Sequence, residues 1–199
     1  MNKLIYTGVI ALLALISCTK DDQIVSKLTD QEKSDLIFLR QEEKLAHDVY
    51  VYAFKKYGIT IFNNISNSEQ THITNMTDLL TKYKIVDPAS GLQEGEFADF
   101  QLKTLYHQLI TKVNISLKDA LEAGATIEDL DISDIQSFYK NTTKADIIQV
   151  YELLTCGSRN HLRGFTGQLK TLGSSYTPQF LTDGEYQTIL SGSHEHCGK

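Results

Sequence analysis

Glu69-Gln70-Thr71-His72 sits inside an apolar stripe, Phe62, Ile65, Glu69, His72, Met76, Leu79 and Tyr83, whose members recur every three or four residues. That period is one face of a helix turned toward a core. A carboxylate and an imidazole one turn apart on a buried face are costly unless something pairs them. A metal ion satisfies both at once. The plainer alternative is a hydrogen bond between Glu69 and His72 themselves.

Three further segments repeat the pattern. A first helix, about 30–57, carries Leu36, Leu39, Glu43, Ala46, Tyr50, Ala53 and Tyr57. A third, about 117–139, carries Leu117, Leu121, Gly124, Glu128, Asp131, Ile135 and Phe138. A fourth, about 145–172, carries Tyr151, Leu154, Ser158, His161, Phe165 and Leu169. Each helix therefore offers one or two metal-ligand types near mid-length on its inward face. The candidate metal ligands are Glu43, Glu69, His72, Glu128, Asp131 and His161. Alternatives stay open for single residues. Glu43 could pair with Arg40 or Arg163, His161 could bond a backbone carbonyl, and Asp131 could support a ligating histidine instead of binding metal itself. Tyr50 reads as a core aromatic, and Glu42, His47 and His107 as surface residues.

Helix starts are marked by Thr29-x-x-Glu32, a capping-box sequence, by Thr60, by Ser116-x-x-Asp119 and by Thr143-x-x-Asp146. Gly58 closes the first helix and Gly173 the fourth. The first two helices are joined by a few residues and should be antiparallel neighbours. The link from Lys84 to Ile115 is long. It includes the turn-rich Asp87-Pro88-Ala89-Ser90-Gly91 and then an amphipathic helix of its own, roughly 99–113. Such a crossover returns helix three parallel to helix two, as in bundles of ferritin topology. A short helix near 183–190 follows the extended Tyr176-Thr177-Pro178-Gln179.

The chain has 199 residues, enough for one domain with a substantial core. Residues 1–17 read as a targeting leader: Lys3 precedes the run Leu4 to Ile16, too short for a stable membrane span. Leu15-Ile16-Ser17-Cys18 resembles a bacterial lipobox, which implies cleavage before Cys18 and acylation of that residue; an ordinary secretory signal is the alternative. The expected address is the bacterial cell envelope, periplasmic or cell-surface, with the membrane engaged only through the lipid. Residues 18–29 read as a tether, 30–191 as the helical domain and 192–199 as a flexible His/Cys tail. Without Lys3 the mature part keeps 18 basic and 25 acidic side chains, a formal charge of −7, which argues against nucleic acid as a partner. Cys156 and Cys197 could form a disulfide outside the cytoplasm. Alternatively, Ser193-His194-Glu195-His196-Cys197 could bind a soft metal.

Two resemblances add to this reading. Glu43, with Ala46 three residues on and Tyr50 seven on, resembles the first helix of rubrerythrin-like members of the ferritin-like superfamily. More broadly, Glu42-Glu43-Lys44-Leu45-Ala46, Ser68-Glu69-Gln70-Thr71-His72, Gly124-Ala125-Thr126-Ile127-Glu128, Asp131-Ile132, Gly157-Ser158-Arg159-Asn160-His161-Leu162-Arg163 and Tyr176-Thr177-Pro178-Gln179-Phe180 resemble a ferritin-like family of unsettled function, domain of unknown function 2202. The resemblance spans roughly 32–190. It implies an all-α, ferritin-like four-helix bundle with an extra helix in the crossover and a short C-terminal helix. Ferritin-like carboxylate proteins take one Glu from each of two helices and Glu-x-x-His from each of the other two. This chain departs by placing Ser158-x-x-His161 on helix four and Glu128-x-x-Asp131 on helix three. Four carboxylates and two imidazoles suit Fe, two ions by the family pattern, or Mn, with Zn as an alternative. The implied chemistry is reaction of a reduced di-iron centre with oxygen or peroxide, using an external reductant, since no Cys-x-x-Cys pair could hold a rubredoxin-type iron. The rival expectation is a non-catalytic metal-binding or interaction module.

Overall fold

The computed structural model describes residues 27–198. Cys18, the leader and most of the tether lie outside the described residues. Six α-helices account for most of what is described: α1 Asp30–Tyr57, α2 Thr60–Lys82, α3 Phe100–Val113, α4 Leu117–Phe138, α5 Ala145–Thr171 and α6 Asp183–Ser191. A single 3₁₀ turn, Tyr139–Asn141, ends α4. No strand occurs among the described residues, which form an all-helical bundle.

Local chemistry fixes most of these limits. Thr29 and Glu32 complete a reciprocal capping box at the start of α1, and Gly58 ends it in the left-handed region at φ 65°. Ser116 caps α4 through the Asp119 amide. Two expected caps are absent. Ile59 occupies the cap position of α2 and Lys144 that of α5, neither with a side-chain bond. Thr60 is already inside its helix. Near Thr143 it is Thr142 that acts, donating to Glu32 across the bundle at 2.7 Å.

Cross-helix bonds give the directions. Asn141, beyond α4, donates to Asp35 near the start of α1, while Tyr50 farther along α1 meets Glu128 in mid-α4. These two helices are antiparallel. Tyr83 at the end of α2 meets Asp146 at the start of α5, and Ser68 meets His161, so α2 and α5 are antiparallel too. With α1 and α2 antiparallel, α2 and α4 run the same way, and residues 84–116, with α3, make the long crossover between them. The bundle is α1 up, α2 and α4 down, α5 up.

The apolar core is divided in two. One cluster includes Tyr50, Phe62, Leu121, Leu162 and Phe165; the other includes Leu36, Leu39, Met76, Ile135, Tyr151 and Leu154. Between them α1 contributes residues 42–43, α2 69–72, α4 128–131 and α5 158–161, all four segments carrying buried acids or histidines. The two apolar plugs flank this polar layer on either side. Buried charge inside it therefore requires partners close at hand.

Candidate metal centre

Glu69 is the hub of the layer. Its Oε2 lies 2.7 Å from His72 Nδ1 and its Oε1 lies 2.8 Å from His161 Nδ1. His72 Nδ1 is also 3.1 Å from Glu43 Oε2, and His161 Nδ1 is 3.4 Å from Glu128 Oε2. Two groups result, each compact enough to surround one ion: Glu43, Glu69 and His72, and Glu69, Glu128 and His161. Glu69 belongs to both. One helix turn separates Glu69 from His72, which is why Glu-x-x-His at this depth presents both side chains to one point.

The contact between Glu69 Oε1 and His161 Nδ1 is close, yet neither atom makes a hydrogen bond. Their directions do not align on one another. Glu43 Oε1 is likewise without a hydrogen-bond partner. On the His161 side, atoms within contact distance but not hydrogen-bonded fit a shared cation, while on the other side His72 Nδ1 is hydrogen-bonded to Glu43 Oε2 at 3.1 Å. The donor set fits as well, because hard carboxylate oxygens with two imidazoles suit Fe, Mn or Zn.

Electrostatics describe a layer short of positive charge. Burial pushes the Glu43 carboxyl well above its ordinary range, and the nearby Asp131 adds to this. Glu128 is raised by burial as well. Burial would raise Glu69 too, but the His161 and His72 charges draw it below the ordinary range. Burial opposes the His161 cation, yet the Glu69 and Glu128 carboxylates outweigh it and carry the imidazole up to about 10. His72 is raised in the same way by Glu69 and Glu43. Protons thus occupy the imidazoles of the metal-free layer, and a cation would have to replace them.

Neighbours hold the candidate ligands in place. Ser68 Oγ lies 2.9 Å from His161 Nε2, leaving Nδ1 to face the centre. Tyr50 donates its hydroxyl to Glu128 Oε1 at 2.5 Å. Gly157 makes room for the second imidazole, since a Cβ at that position would stand 2.5 Å from His72 Nε2. These are the bonds that fix tautomer and orientation at metal sites.

The six residues named from the spacing all reach this layer, but not in equal roles. Glu43, Glu69, His72, Glu128 and His161 form the two groups. Asp131 stands outside both; its Oδ2 accepts from Ser158 Oγ at 2.5 Å. Neither arginine considered for Glu43 reaches it. Arg40 pairs with Asp87 and Arg163 with Glu195. Glu42 corrects the reading as a surface residue: it is 2% exposed and neither of its oxygens has a hydrogen-bond partner. Ser68 and Gly157 carry no sequence signal of their own beyond lying beside ligands.

The C-terminal residues read as a flexible tail are docked on α5. A disulfide joins Cys156 to Cys197, and Arg159 and Arg163 both pair with Glu195. The tail walls a cavity of about 460 Å³ that reaches the centre, lined by Ser68, His72, Gly157, His161, His194 and Cys197 among others. Small molecules and ions therefore have a route to the two imidazoles from the α2–α5 side.

Fold and site together define a helical bundle built around a buried carboxylate–imidazole layer. The chain belongs to the family described as an uncharacterized protein domain (DUF2202), which it matches over residues 32–193. The resemblance read from its motifs to that family is borne out. The uncharacterized protein MJ0754 of Methanocaldococcus jannaschii is 46% identical over 168 residues, which is 84% of this chain and 91% of that protein. The crystal structure of the hypothetical protein MJ0754 from Methanococcus jannaschii DSM 2661 superposes with a TM-score of 0.83, covering 84% of this chain and 96% of that one.

Proposed function

We propose that this chain is a ferritin-like carboxylate protein whose central layer holds two metal ions, iron in the first instance, with Mn or Zn as the alternatives. The observation that carries the reading is Glu69, whose two oxygens each face a different imidazole at 2.7 and 2.8 Å. A carboxylate so placed can bridge two ions. Glu43 and His72 would hold one ion with it, Glu128 and His161 the other. The up-down-down-up order of α1, α2, α4 and α5 with its single long crossover supports the ferritin-like assignment.

An iron pair, when bound, supplies one-electron chemistry toward oxygen or peroxide. The protein's own contribution is to flank the layer with two apolar plugs, to fix the ligands through Ser68 and Tyr50, and to admit a small oxidant through the cavity beside α5. The hydroxyl of Ser158, held by Asp131, stands where the general pattern would have another Glu, leaving the α5 side with one fewer oxygen ligand. Turnover would draw on an external reductant. The lipobox-like sequence supports export and a lipid anchor at Cys18; no helix among the described residues is long and apolar enough to cross a membrane.

The test is anaerobic loading with Fe(II), followed by metal analysis and absorbance before and after oxygen. About two irons bound at the centre, lost in Glu69→Gln, with an oxygen-dependent change in the spectrum, support the reading. A single unreactive ion would favour a structural metal-binding module instead.

A further inference from the structure

The Cys156–Cys197 disulfide stands beside the cavity that reaches His72 and His161, and Cys197 is itself part of the cavity wall. Both cysteines are half-buried, so the bond lies near the surface and outside the sealed core.

The tail is held to α5 in two unequal parts. Glu195 is clamped: its carboxylate pairs with Arg159 and Arg163, its amide donates to Asn160 Oδ1 at 2.9 Å, and its carbonyl accepts from Asn160 Nδ2 at 3.0 Å. Beyond Glu195, the described residues are tied to α5 through Cys197, by the disulfide and by Asn160 Nδ2 at 3.4 Å from its sulfur. Cutting the S–S bond therefore leaves Glu195 as a pivot and frees His196 to Gly198, which form part of the wall.

The two sulfurs are not equivalent. Asn160 Nδ2 is oriented by the Glu195 carbonyl and stands within reach of Cys197 Sγ. An N–H donor favours a thiolate over its thiol, and the thiol of lower pKa is the better leaving group in exchange. Cys197 is the sulfur that leaves, and Cys156 is the one attacked.

We propose that Cys156–Cys197 is a redox latch on the route to the central layer, opened by an external dithiol of the Cys-x-x-Cys class. One thiolate of that dithiol attacks Cys156 Sγ, the S–S bond breaks, and Cys197 departs as a thiolate beside the Asn160 amide. The second thiol, on losing its proton, attacks the reductant's own sulfur in the mixed disulfide, and Cys156 departs in turn. The cysteines gain two electrons, the dithiol leaves as a disulfide, and its two protons pass to the new thiols or to water. Exchange is reversible, so an oxidised dithiol closes the latch by the same steps. What the open latch exposes rests on the metal reading of the layer; the latch itself does not.

The test is a titration of the purified, metal-free full-length protein in mixtures of reduced and oxidised dithiothreitol. Thiols at 156 and 197 are trapped by alkylation and mapped, and the tail is followed by backbone NMR relaxation. Both cysteines should become trapped while the helical circular dichroism is retained, with 196–198 mobile only in the reduced protein. Brief treatment with mercaptoethanol, quenched by alkylation, should leave the mercaptoethanol adduct on Cys156 and the alkyl label on Cys197. A bond reduced only as the bundle unfolds would mark a structural staple and overturn the latch, as would reduction that leaves 196–198 rigid. An adduct on Cys197 would overturn the assignment of the attacked sulfur. In protein loaded with Mn(II), a chelator should remove the ion faster after reduction; an unchanged rate with a mobile tail would overturn the gating of the route. Failure to bind Mn(II) at all would overturn the metal reading, with the latch decided by the metal-free measurements.

Discussion

Ser68 Oγ and His161 Nε2 lie 2.9 Å apart, a bond that ties α2 to α5 at the depth of the buried carboxylate–imidazole layer. Because one ring nitrogen is engaged by the hydroxyl, the other is left to face Glu69. Ser68→Ala removes that tie without touching a ligand. Metal affinity should fall by roughly 10- to 100-fold, the usual cost of losing such a support, while the helical circular dichroism is retained. Competition against a chelator measures it; unchanged affinity would show that packing alone orients His161.

Gly157→Ala is the converse experiment, adding an atom instead of removing one. The new Cβ would stand 2.5 Å from His72 Nε2, so the ring has to move. Overpacking of this kind costs about 1–3 kcal/mol, and here the displaced group is also a proposed ligand. Thermal unfolding and metal stoichiometry should both drop. A variant with full stability but one fewer ion would separate the ligand effect from the packing effect.

Protons and metal compete for the same atoms, and the signs can be worked out. His161 rises to about 10 in the folded chain from an ordinary 6.5, so its charged pairing stabilises the metal-free fold fully below the ordinary value and is lost as pH rises through about 10. Asp131 is raised by burial to about 7 from 3.8, so its ionisation on the way up also erodes stability. The contribution of these two groups to metal-free stability therefore declines from mildly acid to alkaline pH. Metal binding must expel the imidazole protons, so affinity should rise with pH and protons should be released at neutrality. Calorimetry in buffers of different ionisation enthalpy counts them. Binding without proton release would contradict the ligand assignment of the histidines.

The Cys156–Cys197 bond closes a loop of 41 residues in sequence and holds the tail against the mouth of the cavity. In the chain-entropy account a loop of that size is worth about 4 kcal/mol of stability. Cys197→Ser should lower the melting temperature and speed removal of bound metal by a chelator, because the wall of the route is no longer tethered. Lower stability with an unchanged removal rate would mean that ions use another path.

Much of this was legible in the sequence for a physical reason. Glu43, Glu69, Glu128 and His161 interrupt apolar stripes of helical period, and a polar residue on such a stripe must end up buried. The all-helical bundle followed from four such stripes, two short links and one long one. Glu42 escaped because α1 packs against α2, α4 and the crossover helix α3, which buries Arg40 through Ala46 continuously instead of along one stripe. A run as polar as Arg40-Gln41-Glu42-Glu43-Lys44 resembles a solvated face, and only the placement of α3 and α4 shows otherwise. The docked tail escaped as well, since Glu195 has no periodic pattern to tie it to Arg159 and Arg163. Asp131 needed its neighbour: only the distance to Ser158 distinguishes it from the residues grouped around Glu69.

The central claim is that Glu69 bridges two ions. Anomalous diffraction from crystals loaded with Fe(II) under anaerobic conditions tests it directly. The account predicts two peaks flanking the Glu69 carboxylate, one beside Glu43 and His72 and the other beside Glu128 and His161. A single peak there, or none, would contradict it.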